Sequence, residues 1–299
     1  MRRALLVVVL VGTWLIQTPA EAVDTRTVRY GPYTIPAGTM DMPGSIDRVK
    51  LAVKRPCWEC FITGFKANLT YPDGSTANYN TGAMIHHVVQ SSQWRSDPTC
   101  NGTVWGLAGE RFFASGNERT PLELPAGYGY RVRWYDSWNM LLELENMEPM
   151  EQTVYVDITY SVAGTSSSLK PVKPVWLDID NCNNSEYQIP AGPDVETWDW
   201  NVNVEGHLVS IAGHLHDHGV QITARNETAG QDICTSVAGY GNVMEEMGHL
   251  SSMSTCKGTP LAVLDSGNLV RIYSEYNSPE PRDDVMGIML GYIHKTPVG

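Results

Sequence analysis

The chain has 299 residues and a formal net charge of -12. This length suggests two domains of ordinary size, each long enough to bury a hydrophobic core. A chain this acidic is poorly suited to nucleic acid or to an anionic membrane surface, so we expect neither as a partner.

The N-terminus has the three parts of a secretory signal peptide. Met1-Arg2-Arg3 is basic, Ala4 to Ile16 is mostly apolar, and Ala20-Glu21-Ala22 is a small-residue cleavage site. This pattern predicts a signal peptide over residues 1–22 and hence a secreted, extracellular protein. The apolar run is too short to span a membrane, and no later segment approaches twenty apolar residues, so we expect no membrane span.

Strand patterns dominate the rest of the chain. The segments Tyr130–Trp134, Val154–Tyr160 and Leu269–Tyr273 are rich in β-branched and aromatic residues with a period near two, and turn residues separate such segments. This favours an all-β fold of two antiparallel, jelly-roll-like β-sandwich domains in tandem. A small, polar, proline-bearing stretch at residues 164–174 predicts a linker between an N-terminal domain, residues 23–163, and a C-terminal domain, residues 175–299.

Six cysteines lie in the predicted mature chain. In an oxidising compartment an even number predicts disulfides, here three bridges out of fifteen connectivities. We interpret Cys57-Trp58-Glu59-Cys60 as structural pairing, because no second CxxC and no alternation of strands and helices accompany it. Cys234 and Cys256 both lie between the second histidine run and the last strand pattern, which predicts a bridge between them.

Four sequons predict glycosylated, exposed loops if the host is eukaryotic. Their asparagines are Asn68, Asn101, Asn183 and Asn226.

Five of the eight histidines fall in two short runs. The first is His86-His87, within Met84–Val89. Neighbouring side chains of a regular strand face opposite ways, so both imidazoles can bind one ion only if the backbone bends. The alternative is one core histidine and one surface histidine.

The second run contains His214, His216 and His218. Alternate side chains of a strand share a face, so a strand over Leu208–Ile222 would project all three to one side, and two of them could hold one ion. The alternative is an exposed, histidine-rich strand or loop. The spacing around this run fits neither the metallo-β-lactamase motif nor the cupin motif.

Met286 opens the last long strand pattern. A thioether joined to imidazoles favours copper over zinc, calcium or magnesium. The alternative is that Met286 simply fills the core.

The order of these elements resembles that of the type II copper, ascorbate-dependent monooxygenases, such as peptidylglycine α-hydroxylating monooxygenase and dopamine β-monooxygenase. Over most of the mature chain, the sequence is also similar to the plant stress-up-regulated nodulin-like family. That similarity includes the early His-His, a Pro-Val-Trp-Leu-Asp phrase at Pro174–Asp178, and the Gly-His-x-His-Asp and Met-Gly-Ile-Met stretches.

The resemblance to the monooxygenases implies copper as cofactor, as one or two ions, and ascorbate as electron donor. It implies that His86 and His87 hold an electron-transfer copper. It further implies that His214, His216 and Met286 hold a second copper, where dioxygen meets a small-molecule substrate.

Three positions depart from the monooxygenase pattern. Glu145 stands where a third histidine of the first copper site is expected, and a carboxylate is a harder ligand that disfavours cuprous copper. Ala212 replaces an arginine that contacts a peptide carboxylate, and Leu290 replaces a tyrosine. We therefore expect a glycine-extended peptide not to be the substrate.

Three functions stay open from the sequence. The first is an oxidoreductase, a copper monooxygenase of unknown substrate. The second is a non-catalytic copper-binding or stress-response protein, and the third is a surface- or carbohydrate-interaction module that kept the fold. The set of His214, His216 and Met286 favours the first two over the third. Glu145 is the main feature that separates the first from the second.

Overall fold

The structure is a computed structural model that describes residues 23–40, 42–100, 109–181, 184–241 and 248–296. The predicted signal peptide lies outside these residues. Within them, no helix is long and apolar enough to cross a membrane.

The described chain is built almost entirely of strands. The first half contains β1 Val23–Ile35, β2 Gly44–Val53, β3 Cys60–Thr70, β4 Ala83–Ser92, β5 Glu110–Ser115, β6 Leu122–Glu123, β7 Tyr128–Val132, β8 Trp138–Asn146 and β9 Gln152–Ala163, with a 3-10 turn at Tyr79–Thr81. The second half contains β10 Lys170–Asp178, β11 Glu186–Ile189, β12 Gly192–Asn201, β13 Gly206–Leu215, β14 Gly219–Asn226, β15 Gln231–Tyr240, β16 Leu250–Met253, β17 Thr255–Leu264, β18 Leu269–Ser278 and β19 Arg282–His294.

These strands form three sheets. A ten-stranded sheet runs β1-β9-β3-β7-β10-β19-β13-β17, with β6 beside β3 and β11 beside β19. A four-stranded sheet, β2-β8-β4-β5, and a five-stranded sheet, β12-β18-β14-β15-β16, complete the described fold. The pairing is antiparallel except between β7 and β10, which are parallel and join the two halves. The prediction of an all-β, antiparallel sandwich architecture is confirmed.

Strand β19 separates two hydrophobic cores. Met286, Ile288 and Leu290 belong to the core that includes the four-stranded sheet, whereas Met289 and Ile293 belong to the core of the five-stranded sheet. A strand buried on both faces has no polar alternation, which explains the nearly continuous apolar sequence of this segment. The two sandwiches therefore share one long sheet.

The segment predicted as a linker is partly a strand. Lys170–Pro174 belong to β10, which pairs with β7 on one side and β19 on the other. The backbone groups of these five residues thus complete the shared sheet, and the linker itself stays a prediction. The division of the chain into two domains stays a prediction.

Both predicted features of the cysteines are found. Cys57 is bonded to Cys60 and Cys234 to Cys256, and Cys100 is also disulfide-bonded. Because Cys234 lies on β15 and Cys256 on β17, their bridge links the five-stranded sheet to the ten-stranded one. Disulfides are compatible with an oxidising compartment, and secretion itself stays a prediction.

Two sequons do not lie on exposed loops. Asn68 is inside β3, and its side-chain oxygen accepts a hydrogen bond from Arg119 at 2.8 Å. Asn226 is 6% exposed, and its amide donates to Asn268. The expectation of exposed loops is wrong at both positions, because these side chains are used in packing. Asn101 and Asn183 lie outside the described residues.

Candidate metal centre

Four imidazoles meet at one place. His86 and His87 lie on β4, His214 lies near the end of β13, and His216 directly follows that strand. The ring centroid of His87 is 4.2 Å from that of His86, 5.3 Å from that of His214 and 5.1 Å from that of His216. The resemblance to the monooxygenases implied two separate coppers, whereas the structure places both histidine pairs in a single cluster.

A β-bulge turns His86 and His87 to the same side. In the pairing of β4 with β8, Ile85 is opposite Leu144 and His87 is opposite Glu143, so His86 is one extra residue. Such a bulge bends the strand and re-aims a side chain. The backbone bend that the sequence argument required is therefore present.

A corner in the chain positions His214 and His216. The predicted strand over Leu208–Ile222 is wrong, because β13 ends at Leu215 in one sheet and β14 begins at Gly219 in another. The packing at this corner is too close for a side chain, since a Cβ at position 219 would lie 2.7 Å from the Cβ of Leu215. His218 has a positive φ of 72° and serves as a turn residue.

Three of the imidazoles are anchored through Nδ1. His87 Nδ1 lies 3.2 Å from Glu143 Oε2, and His214 Nδ1 lies 3.2 Å from Glu118 Oε1. His216 Nδ1 bonds to the carbonyl oxygen of Asp284. A carbonyl only accepts, and an ionised carboxylate only accepts, so each Nδ1 carries a proton, and in a ring that is neutral the Nε2 atom then carries a lone pair. Metal-binding histidines are oriented in this way.

The carboxylate of Glu143 stays ionised beside two histidines. Burial raises its pKa, but contacts with the imidazoles of His86 and His87 outweigh burial, and the pKa lies well below its usual range. The Glu143 carboxylate therefore accepts hydrogen bonds from the cluster and donates none.

The Nε2 atoms of His87 and His216 face each other at 3.0 Å. Burial lowers the pKa of His87 to about 3 and that of His216 well below its usual value, so both rings are neutral. Two lone pairs at this distance repel each other unless a cation lies between them. Nitrogens that share one ion, each at about 2.0–2.1 Å, are about 3 Å apart, so the pair fits a metal ion.

Two further nitrogens of the cluster lack hydrogen bonds. His214 Nε2 is buried and has no hydrogen-bond partner among the described residues. His86 Nδ1 is also buried and lies 3.1 Å from Glu143 Oε2, without the alignment of a hydrogen bond. Buried polar atoms are normally satisfied, so these atoms indicate a missing partner.

One possible donor set regroups the histidines predicted from sequence. His86, His87 and His216 offer ligand nitrogens within 4.8 Å of one another, and a second set joins His86 to Glu143 and Glu145. Glu145 Oε1 lies 3.9 Å from His86 Nδ1. His214 is adjacent to the first set but outside it.

Two cavities border the cluster and share His214. One of about 50 Å³ is mostly apolar and is lined by His87, His214 and Met286, whose side chain is 1% exposed. The other, of about 300 Å³, has a mixed lining that includes several charged side chains and borders His86 and His216, and we call it the polar cavity. The cluster therefore lies between a small apolar cavity and a larger one with charged side chains.

Sequence reasoning missed several residues of the site. Glu143 had a signal, because in Leu141–Glu145 it shares a face of the strand with Glu145. No sequence pattern indicated Glu118 or the carbonyl of Asp284. Tyr276 is also new: its hydroxyl accepts a bond from the His216 amide at 2.8 Å and donates to the Met286 carbonyl at 2.6 Å.

His249 lies beside the cluster as a hydrogen-bonded loop residue. Its Nδ1 is 2.6 Å from Asp217 Oδ2, and its ring stacks on Tyr79 at 3.5 Å. It lines the polar cavity together with His86 and His216.

Gly116 leaves room for the anchored His214. A Cβ at this position would lie 2.6 Å from Glu118 Oε2 and 2.8 Å from His214 Cε1. We expect Gly116→Ala to displace these side-chain ends and to weaken metal binding about 10- to 100-fold, with little change in folding stability. Metal titration and thermal unfolding of the same variant would check this. Unchanged metal affinity would contradict the assignment of His214 to the site.

Comparisons with known proteins show the family of this chain. The sequence profile of the family SURNod19, described as stress up-regulated Nod 19, matches residues 128–296. The chain belongs to this family. The segment matched by the SURNod19 profile includes His214, His216 and Met286 but begins after the first histidine pair.

Two curated relatives extend over more of the SURNod19 chain. The "Probable copper-dependent oxygenase M1" of Phoma sp. is 30% identical over 293 residues, which cover 90% of this chain and 72% of the relative. The "Probable copper-dependent oxygenase clz3" of Cochliobolus lunatus is 29% identical over 252 residues, covering 77% of this chain and 78% of the relative. A solved structure, the STIV MCP, aligns over 91% of this chain and 97% of its own at 10% identity, but its TM-score of 0.38 carries no argument.

Proposed function

We propose that this SURNod19 protein is a copper-dependent oxygenase whose metal is held by His86, His87 and His216, with His214 and Met286 beside them. The observation that carries the proposal is the 3.0 Å distance between the Nε2 atoms of His87 and His216, two buried rings whose lowered pKa values keep them neutral. The names of both relatives, probable copper-dependent oxygenases, support copper as the metal.

The donor set suits copper. Imidazoles tolerate both oxidation states, and a soft thioether stabilises the cuprous one. Bound copper supplies the activation of dioxygen, for which ascorbate is our proposed one-electron donor. The chain's own residues orient the ligands. Glu118, Glu143 and the Asp284 carbonyl hold the imidazole rings of the cluster in place, and burial excludes water from His87.

The polar cavity argues against a carboxylate-bearing substrate. Its arginine, Arg282, is already paired with Asp284 through two hydrogen bonds of 3.0 and 2.7 Å. The cavity is also lined by Glu118, Glu145 and Asp217. An added carboxylate would meet like charges, so we propose a neutral or cationic small molecule as substrate. This agrees with the expectation that a glycine-extended peptide is not used.

Copper titration with electron spin resonance tests the proposal. We expect the wild type to bind copper with nitrogen hyperfine coupling from imidazoles. A His87→Ala, His216→Ala double variant should bind at least about 100-fold more weakly, because even changes outside the ligand set cost 10- to 100-fold. His207→Ala is the matched control, since His207 lies near the start of β13, and it should bind as the wild type does.

Two results would decide against this function. An unchanged copper content and spectrum in the double variant would refute the site. Normal copper binding without oxygen uptake in the presence of ascorbate, across neutral and cationic candidate substrates, would favour the non-catalytic copper-binding alternative.

A further inference from the structure

A second surface, which contains none of the residues of the metal centre, combines exposed aromatic rings with cations. Trp58 and Trp94 are each 68% exposed, Trp134 is 56% exposed and Tyr135 is 48% exposed. The rings of Trp58 and Trp134 lie 6.5 Å apart with planes 25° from parallel. We call Trp58, Trp94, Trp134 and Tyr135 the aromatic surface. Scattered exposed apolar residues are common, but four large rings in neighbouring loops are not.

A cleft of about 450 Å³ adjoins this surface. It shares no lining residue with the two cavities at the histidine cluster. One carboxylate, Glu110, lines it, against five cationic side chains on a chain of net charge -12. Those cations are Arg95, Arg131, Arg133, Lys173 and Lys295.

Part of this positive charge is not neutralised. Arg95 and Lys173 pair with Glu110, and Arg95 also pairs with Asp136. Arg131 is no closer than 3.8 Å to Glu59. Among the described residues, no carboxylate forms an ion pair with Arg133 or Lys295, so the cleft keeps a positive field that attracts an anion.

The loops that carry the rings are held in place. Asp136 is 4% exposed and accepts a bond from the Arg133 amide at 2.7 Å. Arg55 donates to the carbonyl of Arg133 at 2.7 Å and to that of Trp134 at 3.3 Å. The disulfide of Cys57 flanks Trp58. Because the loops that carry Trp58 and Trp134 are held in place, a ligand would lose little loop entropy on binding there.

We propose that the cleft and the aromatic surface bind a short acidic oligosaccharide. The apolar faces of the sugar rings would stack on Trp94 and Trp134, and a sugar carboxylate would pair with the guanidinium of Arg133. A single-stranded nucleic acid also stacks on aromatic rings, but it needs a cationic groove that follows its backbone. Here the cations are confined to one cleft of an acidic chain, which favours the short saccharide.

Titration of the full-length protein with trigalacturonate at low salt tests the proposal. Binding is measured by tryptophan fluorescence and by calorimetry. We expect saturable binding that maltotriose, which is neutral, does not match within 10-fold. Trp94→Ala and Arg133→Ala should each weaken binding about 10-fold or more, since tryptophan and arginine commonly dominate binding energy. The matched control Arg48→Ala removes an exposed arginine of β2 and should change affinity less than 2-fold.

A metal chelator should leave the trigalacturonate affinity unchanged, which separates this site from the metal centre. No saturable binding, equal affinity for maltotriose, or tighter binding of a hexamer of deoxythymidine would each overturn the proposal. So would variants of Trp94 and Arg133 that bind as well as the wild type.

Discussion

Copper is expected to raise the melting temperature of the metal-free protein by about 10 °C. At free copper about 1,000 times the dissociation constant, binding to the folded state alone adds about 4 kcal/mol to the free energy of unfolding. In a chain of this size, each kcal/mol corresponds to about 2–4 °C. The added stability has a specific source. The Nε2 atoms of His87 and His216 lie 3.0 Å apart, and a bound ion removes the repulsion between their lone pairs. Differential scanning calorimetry with and without copper measures the shift.

The His216→Ala variant provides the internal comparison. This variant lacks one of the two facing imidazoles. Its metal-free form should lose no more stability than an alanine substitution at a partly buried position normally costs. Copper should raise its melting temperature by less than about 3 °C. An equal copper-induced shift in this variant would mean that the ion binds elsewhere.

Gly213→Ala is expected to destabilise the protein by about 3 kcal/mol. A Cβ at this position would lie 2.4 Å from Ile222 Cγ2 and 2.8 Å from Ser236 Oγ. Ser236 cannot simply move away, because its hydroxyl accepts from the Gly213 amide and donates to the Ser254 carbonyl. The melting temperature should fall by about 6–12 °C, and displacement of His214 should also weaken copper binding.

Gly164→Ala is the matched control for this substitution. A Cβ at position 164 would meet nothing closer than Ser166 Oγ, at 3.7 Å, and the stability should change by less than about 0.5 kcal/mol. If the two variants had equal stabilities, close packing at Gly213 could not be what holds the corner together.

The class of fold could be predicted from the sequence, because strand periodicity is a local signal. The segments around Tyr130, Val154 and Leu269 are strands as predicted. The shared sheet could not be predicted in the same way. Pairing of β7 with β10 and of β10 with β19 joins distant segments, and no local pattern specifies which strands become neighbours.

The candidate ligands could be named from residue type and order. Which of them lie close enough to share one ion could not be predicted. The resemblance to the monooxygenases implied one ion for His86 and His87 and another for His214 and His216. The structure instead brings His87 to His216, because a bulge on β4 and a corner after β13 aim both rings at one point. The alternation that places Glu143 on the same strand face as Glu145 was a weak signal, because an acidic residue on an alternating strand usually faces solvent.

The contact between His87 and His216 has a consequence for biosynthesis, since 129 positions separate the two residues along the chain. An ion that binds both closes a loop of that length, much as a long-range covalent crosslink does. During synthesis the N-terminal half emerges first, and it would carry only His86 and His87. The complete ligand set exists only after the later strands have folded against the shared sheet. Metal acquisition is therefore expected to be a late step of maturation, and a chain truncated before residue 216 should fail to acquire the ion whatever the supply.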